Sequence, residues 1–150
     1  RPPRSTLFPY TTLFRSNIYS DVDHKYYKIF GTPYCKDFGC WAYMPGNAIL
    51  PSVYSIIPKD VDILMCHDSP QVGYVANIME HKSEIYPNGV PAGNIYLFNE
   101  IIEKKPKYVL SGHIHSGDHI LQEYEGTKYA NVSILDESYS IKYKPLTFEL

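Results

Sequence analysis

Apolar and polar positions along the chain switch between two periods. Tyr26–Phe30 (YYKIF) is rich in β-forming residues and runs into Gly31-Thr32-Pro33, a turn signal. Val61–Cys66 (VDILMC) is a short, nearly continuous apolar run that stops at His67, the pattern of a strand buried on both faces. Gln71–Pro91 breaks the rhythm with Gly73, Pro87, Gly89 and Pro91 and reads as a long loop flanking a site. In Asn94–Lys105 (NIYLFNEIIEKK), Ile95, Phe98, Ile101 and Ile102 form one stripe at helical spacing. Asn94 offers an N-cap, Lys104 and Lys105 suit the negative end of the helix dipole, and Pro106 stops it. Lys107–Gly112 (KYVLSG) is the next strand and leads straight into His113. Ile120–Glu125 and Lys128–Leu135 flank Gly126-Thr127 as a hairpin, and Ser140–Leu150 closes the chain as one or two strands broken at Pro145. Strand, helix, strand and then β-ribbon predict a layered α/β domain. At 150 residues the chain suffices for one such core.

Charge changes the picture at the start of the chain. The three arginines are Arg1, Arg4 and Arg15, whereas all eleven lysines and all sixteen acids lie beyond Ser16. Ser5–Ser16 also reads, codon for codon, as an in-frame translation of a short-read sequencing adapter, and the adapter's preceding bases supply Arg1–Arg4. Residues 1–16 are therefore expected to be an assembly artefact, with the natural chain running over 17–150 and entered partway through its reading frame. Without them the net charge is 11 − 16 = −5, opposite in sign to the basic footprint of nucleic-acid binding. No window of 18 or more apolar residues and no leader pattern occurs, which predicts a cytoplasmic protein with no membrane partner. Cys35, Cys40 and Cys66 match no common zinc spacing and read as reduced, partly buried thiols.

The chemistry concentrates in histidine. His67 and His113 each follow the C-terminal end of an apolar strand, the edge where open α/β sheets bind ligands. His113 and His115 are two apart, so an extended or tightly turned backbone sends both rings to one side, and Gly112 lets the chain turn closely. Imidazoles gathered this way suit zinc, iron, manganese or copper. His24 (DVDHK) and His81 (EHKSE) sit in charged segments and read as solvated. His119 either opens the next strand or helps to bind a substrate. Asp68 either orients His67 or simply turns the chain in HDSP, and Asp118 either faces the site or caps a turn.

The ordered set of segments resembles the calcineurin-like metallophosphoesterases, specifically a small cytosolic phosphodiesterase-like subgroup. DILMCHDSP and GHIH look like the last two motifs of that family. IFGTPYCKDFGCWAYM (Ile29–Met44), PKYVLSGHIHSGD, KYANVS and the terminal PLTFEL are similar to the subgroup's later half. The resemblance spans Asn17 to Leu150 and implies the C-terminal half of a four-layer α/β/β/α sandwich. It implies His67 and His113 on one metal and His115 on a second, the pair being divalent or trivalent ions of the manganese, iron or zinc class. Two ions about 4 Å apart activate a hydroxide and neutralise the phosphoryl oxygens. The implied substrates are small phosphomonoesters or phosphodiesters, nucleotides among them. The family's earlier motifs (Asp-x-His, a bridging Asp and Asn-His) are absent, and with them the family's catalytic histidine. No catalytic residue is therefore assigned; the parent protein is expected to be a hydrolase and the chain as it stands an inactive fragment. The competing readings are a non-catalytic relative and a mononuclear metal-binding module.

Overall fold

The structure, a computed structural model, describes residues 14–20, 25–39 and 42–149. Its main sheet has six strands: β1 (Phe14–Ser20), β2 (Lys25–Thr32), β3 (Ile63–Cys66), β6 (Tyr108–Ser111), β7 (Gln122–Tyr124) and β8 (Thr127–Asn131), in the order β1-β2-β3-β6-β8-β7. The four central strands β2, β3, β6 and β8 are parallel, and β1 and β7 are antiparallel edges. Parallel neighbours need crossovers. The β2–β3 crossover carries the short helix α1 (Leu50–Tyr54). The β3–β6 crossover carries a two-stranded ribbon, β4 (Asn77–Ile78) with β5 (Val90–Pro91), and then the helix α2 (Ile95–Lys104).

Strand alternation divides the sheet into two unlike faces. In register across the four parallel strands, Phe30, Leu64, Val109 and Tyr129 face α1 and α2, where Leu50, Tyr54, Leu97 and Ile101 are fully buried. Each such side chain contributes about 1.5–3 kcal/mol relative to exposure, so this helix-covered face is the main core. The opposite face carries Ile29, Ile63 and Tyr108, with Phe148 stacked on Tyr108 at 4.7 Å, while Met65 on the same face is 47% exposed.

One level further along, Thr32, Cys66, Ser111 and Asn131 stand side by side in register. All four parallel strands therefore end together. Their outgoing loops begin at a single edge, and this places the site.

The expected α/β class and its principal elements are present. Asn94 caps α2: its side-chain oxygen accepts from the amides of Tyr96 (2.9 Å) and Leu97 (3.1 Å). Lys105 ends the helix in a left-handed conformation, its amide on the Ile101 carbonyl at 2.8 Å, just before Pro106. Three expectations are corrected. The segment Gln71–Pro91 contains the β4–β5 ribbon, because its polar, glycine-rich surroundings masked two very short strands. The hairpin loop is Glu125-Gly126, both at positive φ, and Thr127 belongs to β8; the paired positive φ values are what a two-residue hairpin loop demands. Among the described residues, Ser140–Glu149 form no strand beyond an isolated bridge of Ile141 with Leu135 and run mostly exposed along the surface. Phe14–Ser16 lie within β1, opposite Gly31, Phe30 and Ile29.

Candidate functional site

The loops leaving β2, β3, β6 and β8 enclose a cavity of about 570 Å³. His67, His113 and His115 all line it, joined by Phe38 and Tyr43 from the β2 loop and by Glu137 and Tyr139 from the β8 loop. The rings of His67 and His113 stand 5.0 Å apart, so the two histidines that end separate strands do converge. His81 is exposed and away from this lining, while His24 lies outside the described residues.

The backbone brings the histidines together through a continuation of the sheet ladder. The His67 amide donates to the Thr32 carbonyl (3.0 Å) and the Gly112 amide to the His67 carbonyl (3.3 Å). Ser69 Oγ, fully buried, donates to the Gly112 carbonyl at 2.6 Å and so ties the His67 loop to the His113 loop. His113 itself holds φ of 62°. Beyond it, Asn131 at the end of β8 donates through Nδ2 to the carbonyls of Ile114 (2.6 Å) and Val75 (3.0 Å). Gly117 closes this turn at a point where an added Cβ would lie 2.1 Å from the Val75 oxygen and 2.7 Å from Asn131 Nδ2. A side chain has no room there.

Protonation follows from these surroundings. Burial pulls His67 below the usual histidine range; the Asp68 carboxylate pushes the other way without prevailing, and His115 adds to the lowering. Burial also lowers His113 against the pull of Asp68, helped by His67 and Lys36. Both shifts favour the neutral ring, the form that offers a lone pair. His115 Nδ1 lies 2.9 Å from the Asp136 carbonyl, a partner that can only accept. The proton therefore sits on Nδ1 and Nε2 is free to accept. His119 is turned away: its Nε2 donates to the His115 carbonyl (3.0 Å) and its ring stacks on Tyr143 at 3.7 Å. It neither opens a strand nor lines the cavity.

Asp68 is a buried hub. Its carboxylate accepts from the amides of Lys36 (2.9 Å) and Ser69 (2.9 Å) and from Asn94 Nδ2 (2.7 Å). It therefore pins the β2 loop and the start of α2 to the residue after His67. Asn94 Nδ2 also reaches Tyr54 Oη (3.1 Å), which donates to the Tyr34 carbonyl at 2.9 Å. Asp118 caps a turn, accepting from the Ile120 amide (3.0 Å) and from Gln122 Nε2 (3.3 Å). Cys35 and Cys66 are free, buried thiols; burial is the main force raising both, Cys35 to about 11. Cys40 lies outside the described residues.

As a metal site the arrangement is partial. Neutral imidazoles with an oriented Nε2 have the right donor chemistry, but among the described residues no group of three or more His, Cys, Asp or Glu side chains gathers to hold an ion. Sequence reasoning missed Phe38, Glu137 and Tyr139. Glu137 accepts from the Ser116 amide at 3.0 Å, tying the β8 loop to the GHIH turn. The usable signal was topological: any loop after a fourth parallel strand must open onto the same edge.

Known proteins can now be compared with this geometry. A UPF0046 protein of Caenorhabditis elegans is 29% identical over 125 residues, covering 81% of this chain and 29% of that protein. The human metallophosphoesterase domain-containing protein 1 is 26% identical over 133 residues, covering 87% of this chain and 38% of its own length. These likenesses point to a metallophosphoesterase-like family. The chain spans well under half the length of the curated relatives it matches. No family model matches it. The solved structure of GAP50, the anchor in the inner membrane complex of Plasmodium, superposes with a TM-score of 0.44 at 15% identity, covering 79% of this chain and 35% of that one. No helix among the described residues is long and apolar enough to cross a membrane.

Proposed function

We propose that this chain is part of a metal-dependent phosphoesterase that hydrolyses small phosphomonoesters or phosphodiesters at a dinuclear centre. Residues 17–150 would form the later half of its four-layer domain, and residues 1–16 would be foreign to it. The observation that carries the reading is the meeting of His67, His113 and His115 on one cavity at the shared end of four parallel strands. His67 and His113 would hold one ion and His115, through Nε2, the other. The carboxylates that complete such a centre would come from parts of the parent outside these residues. Bound cations of the manganese, iron or zinc class supply charge neutralisation at the phosphoryl group and activation of water.

The chain's own residues prepare the ligands. Partial desolvation favours the neutral forms of His67 and His113, and the Asp136 carbonyl fixes the tautomer of a neutral His115. Ser69 ties the His67 loop to the His113 loop, and Asp68 anchors the His67 loop to the β2 loop and to the start of α2. The test is hydrolysis of bis(p-nitrophenyl) phosphate with manganese, using this chain and a longer version carrying the natural upstream residues. The longer protein should turn over and lose about a hundredfold or more on His67→Ala or His113→Ala, since misplaced reacting groups sacrifice most of the rate. The chain alone should be inactive. Equal turnover by the histidine variants would refute the assignment.

A further inference from the structure

Among the described residues, five non-glycine residues hold positive φ: Tyr43, Lys105, His113, Glu125 and Tyr139. Two of them lie at the boundaries of regular elements. Lys105 is the left-handed C-cap of α2, and Glu125 sits in the two-residue loop between β7 and β8. The other three, Tyr43, His113 and Tyr139, all line the cavity. Positive φ is rare for bulky residues, and such conformations cluster where function holds them. Tyr139 takes its positive φ in the tight turn from Asp136 to Ser140, where its amide donates to the Asp136 carbonyl (2.9 Å) and the Asp136 amide to the Ser140 carbonyl (2.9 Å); its side chain is 73% exposed, and asparagine or glycine would suit that backbone as well.

The turn accounts for the backbone but not for the choice of an aromatic side chain, on which its neighbours bear. Tyr139 stands edge-on to His115 at 5.3 Å and 88°. Phe38, 66% exposed, stands edge-on to His113 at 5.7 Å and 90°. Two solvent-facing aromatic rings thus flank the histidines, and Tyr43, Met44, Ile78 and Ile114 supply an apolar wall beside them. The cavity thus sets exposed aromatic rings directly beside the three imidazoles.

We propose that Phe38 and Tyr139 form a specificity clamp for a flat aromatic ring on the organic part of the phosphoester, with Tyr43 backing the cavity wall. This deepens the phosphoesterase reading and rests on it: the phosphoryl group meets the histidines while the ring is held between the two aromatic side chains. Aromatic pairs prefer offset-stacked or edge-to-face contacts and add affinity beyond the area they bury, which for two such contacts amounts to about tenfold.

The experiment compares phenylphosphonate, methylphosphonate and phenol as non-hydrolysable probes, with zinc present, by ligand-observed nuclear magnetic resonance on the longer protein that carries the natural upstream residues. The expected result is about tenfold tighter binding of phenylphosphonate than of methylphosphonate, with ring protons of the probe close to Phe38 and Tyr139. Tyr139→Asn should bring that ratio to within about threefold. It should do so without lowering the melting temperature, because asparagine tolerates the left-handed backbone. Phe38→Leu, which keeps bulk and removes the ring, should lower the ratio too, and it decides the matter if Tyr139→Asn fails to fold. Equal affinity for the two phosphonates, or a ratio unmoved by both substitutions, overturns the clamp and leaves the histidine site standing. Phenol binding as tightly as phenylphosphonate overturns the phosphoester reading, and the proposal with it, in favour of a neutral aromatic ligand. If no probe binds, both fall.

Discussion

Asn94 joins the helix cap to the site, so replacing it separates two contributions that a single hydrogen bond could not. In Asn94→Ala the amides of Tyr96 and Leu97 lose their acceptor, worth about 1 kcal/mol for a lost N-cap. The fully buried Asp68 carboxylate also loses its 2.7 Å donor while keeping the Lys36 and Ser69 amides. Removing one donor from a buried acceptor costs about 1–3 kcal/mol. Tyr54 still donates to Tyr34 and is not stranded. The sum is about 2–4 kcal/mol, a fall of roughly 5–15 °C in melting temperature for a domain of this size. Asn94→Asp keeps the cap acceptor but sets a second carboxylate against Asp68 in a dry site. One of the two must then hold a proton, so the folded-state pKa of the pair rises above its unfolded value. A raised carboxyl pKa gives stability that is present at low pH and lost as pH rises. The deficit of this variant should therefore shrink between pH 7 and pH 5, by at most about 1.4 kcal/mol per pH unit. Urea unfolding of wild type and both variants at the two pH values measures this. A loss under about 1 kcal/mol for Asn94→Ala, or a pH-independent deficit for Asn94→Asp, would refute the hub.

Two further outcomes follow from the same geometry. His67 and His113 should titrate below the ordinary histidine value in a magnetic-resonance titration; because their folded pKa is depressed, the stability they lend is present above about pH 6.5 and lost as pH falls toward the folded value. Titration of either ring at or above 6.5 would contradict the burial argument. Gly117→Ala should lose about 1–3 kcal/mol by thermal unfolding, since its methyl collides with the Val75 carbonyl and Asn131; an unchanged melting temperature would show that the GHIH turn is looser than the contacts imply.

What could be read from the sequence was whatever local chemistry decides. Val61–Cys66 and Lys107–Gly112 are apolar runs with a turn after them, and Asn94 and Pro106 punctuate a helix; β3, β6 and α2 lie there. His67, His113 and His115 were legible because a strand end is a local feature and the ends of parallel strands share an edge. Elements that depend on distant partners were not legible. Ser140–Leu150 has strand-like residues, yet a strand exists only where it pairs with a neighbour, and that pairing is not written in the segment itself. The helix α1, five residues starting next to Pro51, is too short for its periodicity to register and is held by the burial of Leu50 and Tyr54. Phe38, Glu137 and Tyr139 reach the cavity only because four strands end in register, a fact of pairing that no short window contains. Asp68 was open between orienting His67 and turning the chain. Its hydrogen bonds go to two amides and to Asn94, so it holds the loop that carries the ring.

The central claim is that His67, His113 and His115 are metal ligands. Cobalt(II) titration of the isotope-labelled chain, followed through its imidazole nitrogens, tests it most directly. The account predicts that the Nε2 resonance of His115 and the ring resonances of His67 and His113 broaden or shift first, at metal concentrations that leave His81 and His119 unaffected. Preferential loss of the His81 or His119 signals, with the three cavity histidines untouched, would contradict it.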